Sequence, residues 1–398
     1  MKKELPSYIA ERLSSVDIAS SRGLLQLMDR LGVVTQRQAA KELGLSPGTS
    51  NVHFQKLEHM GLIHRVATVG TPGRGRSTIQ WEIEKKKNCC IEMVFDVPFF
   101  HAALTDFDGT VLLSKRKDLT GVDDIDELRK LIDHFVDEAK VSAEESASVI
   151  RQVFVGVPGL ISSNSDQTIR SANFPVLNNM NFKKHMSERH DLPCHCDSLG
   201  LAFYHGEAAD LPADTRTMVL FWDLGIGAVA GVGDRIISHY HEELFLSELG
   251  HVRIKGEGSK LCHCGRCGCL EAYAGGWAMI EALDNPEVKG LSDFIRAVEN
   301  GDENALRIAN EAARCISLNL CWALQVMRSE RLIISGPLSR IFKYVRPSMI
   351  EGLKTIFTEE EVTVLNPQAS ADSQIAMQKG AARSAQRLFI YSDFHSDV

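Results

Sequence analysis

Four cysteines fall within one eight-residue run, Cys262, Cys264, Cys267 and Cys269, punctuated by Gly265 and Gly268, and His251 lies shortly upstream. Thiolates this close together bind a metal more readily than they pair with one another. Four such donors build the closed tetrahedral shell of a structural zinc site. The glycines let one loop turn tightly enough to supply several sulfurs. On chemistry alone two donor sets are open: His251 with three of the cysteines, or the four cysteines without it. Unliganded thiols on an exposed loop would be reactive liabilities. A second group of residues suits a polyanion. Thr49, Asn51, Gln55 and Lys56 recur on the polar side of one helical pattern, and Arg74 and Arg76 tip the glycine-rich segment 70–76. Asn and Gln can each make bidentate contacts to adenine, and Lys and Arg neutralise phosphates.

The elements around that second group are legible. Leu24, Leu25, Leu27, Met28 and Leu31 recur at helical spacing before Gly32, and Val34–Leu43 repeats the pattern before Gly44. Ser46 is a natural N-cap and Pro47 fits the first helical position, which predicts a third helix over 47–60 burying Phe54 and Leu57. Residues 62–66 and 77–83 alternate as strands do, with the two arginines at their turn. Three helices and a basic hairpin describe a winged helix-turn-helix over residues 1–84. The bland alternative is a small helical protein-interaction domain, which has no use for an arginine-tipped hairpin. Lys85, Lys86 and Lys87 read as a solvated linker.

Composition agrees with this division. The chain has 398 residues, 44% hydrophobic and 24% charged, which excludes disorder, collagen and small disulfide scaffolds. Residues 1–87 carry 14 Lys and Arg against 8 Asp and Glu, a net +6, so the remainder of a chain of net charge −8 carries −14. A basic segment on an acidic body suggests that only the first part meets nucleic acid. Met1–Pro6 holds basic residues without an apolar stretch behind them, so no signal peptide is expected, and Met218–Val232 is too broken to span a bilayer. A cytoplasmic protein is expected.

From residue 88 onward, strand-like and helix-like segments alternate. Strands are expected at 90–95, 101–105, 111–114 and 153–157, and helices at 124–140 and 143–149. A second meander begins at Val219 and returns along 235–240, a long helix covers about 303–327, and a last one about 374–391. Asp96 and Asp223 each close a strand and open a hairpin, as though one plan were used twice. Cys315 and Cys321 read as core thiols; Cys89, Cys90 and Cys194 read as packed or linker thiols.

Motif by motif this body resembles the ROK family (repressors, open reading frames and kinases), an α/β fold with a two-lobed, actin-like, sugar kinase-like body. The resemblance covers about residues 88–391, and the winged helix ahead of it resembles the family's sugar-responsive repressor branch. Glu248-Leu249-Gly250-His251 followed by Cys262-His263-Cys264-Gly265-Arg266-Cys267-Gly268-Cys269-Leu270-Glu271 matches the family pattern Glu-x-Gly-His, then Cys-x-Cys-Gly-x-x-Gly-Cys-x-Glu. It implies zinc held by His251, Cys262, Cys264 and Cys269, with Cys267 at a variable position. Glu248, His251 and Glu271 then fall on sugar-contacting positions, where carboxylates accept from sugar hydroxyls. Ala172-Asn173-Phe174-Pro175 resembles the sugar loop and nominates Asn173. Cys194-His195-Cys196-Asp197 lies where the kinases have a catalytic Asn-Asp, so Asp197 keeps the carboxylate as a vestigial base and sugar contact while Cys196 replaces the amide; a loop cap is the alternative for Asp197. The implied organisation is a body over 88–398, with lobe one at about 88–195 plus 375–398 and lobe two at about 196–374.

The same resemblance argues against kinase activity. The family's kinases carry Asp-Ile-Gly-Gly-Thr at the first hairpin, where this chain has Asp96-Val97-Pro98-Phe99-Phe100. Proline has no N–H to offer a phosphate, and the two phenylalanines are expected to fill the phosphate space. The second hairpin keeps Gly225 and Gly227 without the family's Thr-Gly, and Ile334-Ser335-Gly336-Pro337 replaces a Gly-Gly pair. The expected function is a repressor acting as a homodimer or homotetramer on double-stranded operator DNA. Its effector would be a sugar or sugar phosphate between the lobes, whose closure a linker near 84–90 passes to the winged helices. An ATP-dependent sugar kinase with an accessory DNA domain, and a zinc-stabilised docking module without a ligand, are the competing readings.

Overall fold

A computed structural model describes residues 15–69, 78–162, 167–233, 235–237, 248–256 and 258–391. The first domain comprises α1 (Ser15–Leu31), β1 (Val34–Thr35), α2 (Gln36–Glu42), α3 (Pro47–His59), β2 (Ile63–Val69) and β3 (Thr78–Ile83). Leu24, Leu27, Met28, Ala39, Phe54 and Leu57 close on Trp81, whose ring lies 5.3 Å from that of Phe54. Ser46 caps α3 by accepting from the Thr49 N–H at 3.1 Å, and Pro47 opens the helix. Val34 differs from expectation. Instead of starting a helix it is buried in a three-stranded sheet, β1-β3-β2, opposite Trp81. Its β-branched side chain suits that position, and Thr35 caps the shortened α2 by accepting from the Gln38 N–H.

The body then runs β4 (Asn88–Asp96), β5 (Phe99–Asp106), β6 (Val111–Asp118), α4 (Ile125–Glu145), β7 (Val149–Val157), β8 (Leu160–Ser162), β9 (Gln167–Arg170), α5 (Phe182–His190), β10 (Cys194–Ser198) and α6 (Leu199–Glu207). Its second half comprises β11 (Arg216–Trp222), β12 (Ile226–Val232), β13 (Arg235–Ile236), α7 (Glu271–Ala274), α8 (Gly276–Leu283), α9 (Leu291–Glu299), α10 (Glu303–Met327), β14 (Arg331–Ser335), α11 (Phe342–Leu353), α12 (Glu359–Leu365), β15 (Gln368–Ala369) and α13 (Ser373–Tyr391). The two five-stranded sheets, β10-β7-β4-β5-β6 and β15-β14-β11-β12-β13, share one topology: an antiparallel meander with two parallel strands added beside its first strand. The plan is used twice. The helix expected at 143–149 does not form. Chain reversal through Ala147, at φ 53, delivers Val149 to pair with Asn88 at the start of β7. The return strand expected to Tyr240 is described only through Ile236. β10 completes the first sheet, and α6 follows directly.

The two domains are welded rather than strung. Residues 85–87 are exposed, but β4 begins at Asn88 and is buried throughout most of its length, so the linker expected near 84–90 is only its first half. One hydrophobic cluster joins Leu24 and Trp81 of the winged domain to Cys90, Phe107, Phe154, Tyr204 and Phe389 of the body. Asn88 Nδ2 donates to Gly61 O at 2.9 Å, and Arg151 Nη2 donates to Met60 O at 2.7 Å. At the far end of the chain, Tyr391 donates to Asp29 Oδ2 at 2.9 Å and Gln26 Nε2 donates to Ile390 O. α13 packs on β4 and β7 as expected, but chiefly along α6. The two helices approach so closely that a Cβ on Gly206 or Gly380 would fall 1.8 Å from the carbonyl oxygen of Ala376 or Ala202. Among the described residues no helix is long and apolar enough to cross a membrane.

Candidate functional site

The segment from residue 248 to 271 folds as a closed loop. A short helical turn, Leu249–His251, sets the imidazole, and bridges between Arg253 and Cys269 and between Leu261 and Cys267 tie the loop together. Gly268, at φ 82, passes so near Lys255 O that a Cβ would stand 2.1 Å from it. The side-chain donor atoms of His251, Cys262, Cys264 and Cys269 lie within 4.8 Å of one another. His251 Nδ1 is 3.6 Å from Cys262 Sγ, and Cys264 Sγ is 3.7 Å from Cys269 Sγ. Cys267 is not in the cluster; its backbone serves the bridge to Leu261. Burial, then the Arg266 and Arg170 guanidiniums, lowers the His251 pKa to about 4, so the ring is the neutral form that ligates metals. Burial pushes the Cys262 thiol well up, and Glu271 adds to it. One imidazole and three crowded cysteine sulfurs fit a thiophilic, tetrahedral cation such as zinc.

This loop forms one wall of a cleft of about 830 Å³, its open mouth included, between the two sheets. Asn173, Glu248, His251 and Glu271 all line it, with Phe95, Val97, Phe203 and Phe221 as the apolar part. Glu271 is fixed by two donors: Ile226 N–H to Oε2 at 3.2 Å and Trp277 Nε1–H to Oε1 at 3.1 Å. Gly225 is required beside it, since a Cβ there would come 2.8 Å from Glu271 Oε2. Burial raises the pKa values of both Glu248 and Glu271. Two side chains that the sequence reading did not single out support the site. His263 stacks on Trp277 at 3.9 Å and its Nδ1 lies 3.2 Å from Asn173 Oδ1. Arg170 Nη1 donates to Cys264 O at 3.3 Å, tying β9 to the cysteine loop. The only sequence signal for His263 was its position between two of the clustered cysteines.

Asp197 is not brought to the lining. It is buried at the end of β10, where its Oδ1 accepts from the Ser198 N–H at 2.5 Å and its Oδ2 lies 3.2 Å from His195 Nε2. Its neighbours Ser198 and Leu199 line the cleft instead. Asp223 lines the cleft as well. Removal from water, and then the Asp96 carboxylate, raises the Asp223 pKa to about 8.

On the winged domain, Thr49, Asn51 and Gln55 are exposed along α3 and Lys56 is half-buried. Thr49 Oγ1 lies 2.8 Å from the capping Ser46 hydroxyl, and Asn51 Oδ1 accepts from Gln36 Nε2 at 3.2 Å. Val52, on the same face, is 59% exposed and offers a methyl surface that the sequence reading passed over. Arg74 and Arg76 lie outside the described residues.

The ROK family profile matches residues 97–387. The chain belongs to the ROK family. A winged helix-turn-helix DNA-binding profile matches residues 17–64. The chain is 23% identical over 322 residues to the xylose repressor of Bacillus subtilis, covering 79% of this chain and 81% of that protein. It is 22% identical over 370 residues to the N-acetylglucosamine repressor of Escherichia coli O6:H1, covering 86% and 87%. Among solved structures, a ROK family transcriptional regulator described as a homolog of the E. coli MLC protein superposes with a TM-score of 0.76 at 20% identity, covering 94% of this chain and 96% of that one.

Within this ROK fold the first hairpin departs from the expected phosphate-site filling. Phe100 is buried in the lobe-one core against Phe95, with ring centroids 5.0 Å apart. Phe99 lies under the Arg116 guanidinium at 3.5 Å. Neither is among the described residues lining the cleft, whereas Phe95 and Val97 are.

Proposed function

We propose that this ROK protein is a cytoplasmic transcriptional repressor whose affinity for double-stranded operator DNA is set by a sugar or sugar phosphate bound between its lobes. One observation carries the reading. The cleft that gathers Asn173, Glu248, His251 and Glu271 is also lined by Leu199 and Phe203 of α6, and α6 packs along α13, which ends on Gln26 and Asp29 of α1. A bound ligand and the DNA-reading domain therefore touch one continuous set of elements.

In this reading the Glu248 and Glu271 carboxylates accept from adjacent sugar hydroxyls. Asn173, steadied by His263, supplies an amide. Glu271 is pre-oriented by Ile226 and Trp277, so little side-chain freedom is lost on binding. His251, Cys262, Cys264 and Cys269 hold a structural zinc that keeps the loop in shape. The effector favours whichever lobe arrangement it binds more tightly, and shifts the equilibrium only by that difference. In a homodimer or homotetramer the shift re-spaces two winged helices against operator half-sites. Thr49, Asn51 and Gln55 read base edges, Lys56, Arg74 and Arg76 meet phosphates or a minor groove, and Val52 suits a thymine methyl.

The protein is proposed not to be an enzyme. Pro98 removes a phosphate-binding N–H at the first hairpin, and Asp197, the carboxylate that would serve as base, is engaged by Ser198 and His195 away from the cleft lining. DNA footprinting with and without a sugar panel tests the reading: protection that a sugar relieves or strengthens supports it. ADP release with a hexose would establish the kinase reading instead.

A further inference from the structure

On the far side of lobe one, α4 and α5 face each other through a polar cluster that the effector cleft does not use. His185 Nε2 lies 2.7 Å and His190 Nε2 2.8 Å from the same oxygen, Asp133 Oδ1. The other ring nitrogen of His190, Nδ1, lies 3.6 Å from Asp137 Oδ1, and the His190 side chain is only 1% exposed. Arg189 Nε stands 3.8 Å from Asp133 Oδ2, and Lys140 Nζ donates to His190 O at 2.9 Å, pinning the end of α5 to α4.

His185 Nε2 and His190 Nε2 converge on one carboxylate oxygen, Asp133 Oδ1, beside an imidazole that is removed from water. A neutral imidazole offers one N–H and one lone pair, and a lone pair on each Nε2 suits a cation shared with that carboxylate. Asp137 Oδ1, 3.6 Å from His190 Nδ1, is exposed and beyond hydrogen-bond distance.

We infer that His185, His190 and Asp133 form a second metal site, binding a divalent transition-metal cation of the zinc type between α4 and α5. His185 Nε2, His190 Nε2 and a carboxylate oxygen of Asp133 lie within 4.8 Å of one another, so modest spreading accommodates bonds of about 2.0–2.2 Å. With Nε2 on the metal, His190 Nδ1–H would face Asp137 Oδ1, 3.6 Å away, and a small shift would complete the carboxylate–histidine–metal arrangement that fixes ring orientation. Asp133 suits the role of ligand because its Oδ1 already lies within 2.8 Å of both Nε2 atoms. The donors are two imidazoles and a carboxylate with no thiolate, a set distinct from the His251 loop in chemistry as well as position. Bound metal would clamp α5, and with it the start of β10, against α4.

The test is metal stoichiometry on the full-length chain, stripped and reloaded with Zn²⁺ or Co²⁺ and desalted. Wild type should retain two ions per chain and His185→Ala one. Asp137→Asn should keep the site but weaken it roughly tenfold or more, the usual effect of losing such an outer carboxylate. Cobalt separates the sites without relying on any one variant: the thiolate loop gives strong sulfur-to-cobalt charge-transfer absorption, and the imidazole–carboxylate site only weak visible bands. In Cys262→Ser/Cys264→Ser, one equivalent of Co²⁺ without charge transfer should remain. A wild-type chain that holds a single ion, all of it lost in that double variant, would overturn the inference. The result does not depend on whether the cleft binds a sugar.

Discussion

His251 turns Nε2 toward Glu248 Oε2 at 3.5 Å while its Nδ1 lies 3.6 Å from Cys262 Sγ. One ring thus belongs to both the donor cluster and the cleft, and Glu248 stands where an outer carboxylate partner of a metal-bound imidazole would stand. Metal occupancy and effector binding should therefore be coupled, and coupling is reciprocal. Removing the loop's metal should weaken effector binding by about tenfold, and saturating effector should slow metal loss to a chelator comparably. Titrations of stripped and reloaded protein check the first half, and chelator competition checks the second. Independence of the two would show that His251 does not link them.

Glu248→Ala should abolish the effector's influence on DNA while leaving the affinity of the free protein for DNA within about twofold. The residue lines the cleft and lies remote in sequence from the winged domain. DNA titrations with and without effector read both quantities, and an unchanged response would remove Glu248 from the effector site.

The relay through α6, α13 and α1 makes a separate prediction. Tyr391→Phe combined with Gln26→Ala removes two hydrogen bonds between α13 and α1. Effector affinity should stay within about twofold while the DNA response to effector shrinks. Gly380→Ala should be harsher, because its Cβ meets the Ala202 carbonyl; a loss of roughly 2–4 kcal/mol of stability is expected from overpacking at such a backbone contact.

Asp223 should leave a signature in pH-dependent stability. Burial and Asp96 raise its folded pKa to about 8, so the folded state favours the protonated acid. Its contribution to stability is complete below the unfolded value near 4 and is lost as pH rises through 8. Asp223→Asn should accordingly raise Tm at pH 8 by a few degrees relative to wild type and change it little at pH 4. Melting curves of the pair across that range decide it; parallel curves would contradict the assignment.

The winged helix-turn-helix, the duplicated sheet and the donor residues were legible because each rests on local signals: Ser46-Pro47 at a helix start, repeated strand-hairpin patterns, and cysteines a few residues apart. The choice of His251 over Cys267 was legible only through family resemblance, since spacing alone left both sets open. Asp197 was nominated by position in a motif, but its orientation depends on Ser198 and His195, which motif matching does not weigh. Val34 was assigned to a helix because its apolar period fits one, while its pairing partner Trp81 is distant in sequence. The His185–His190–Asp133 cluster left no pattern to find, because two helices separated by three strands contribute to it.

The most direct test of the central claim is isothermal titration of metal-loaded protein with a panel of sugars and sugar phosphates, run beside ATP with Mg²⁺ and an assay for ADP. The account predicts that at least one sugar or sugar phosphate binds, with neither ATP binding nor ADP release. Heat of turnover with ADP formation would contradict it in favour of a kinase, and silence across the whole panel would contradict it in favour of a docking module.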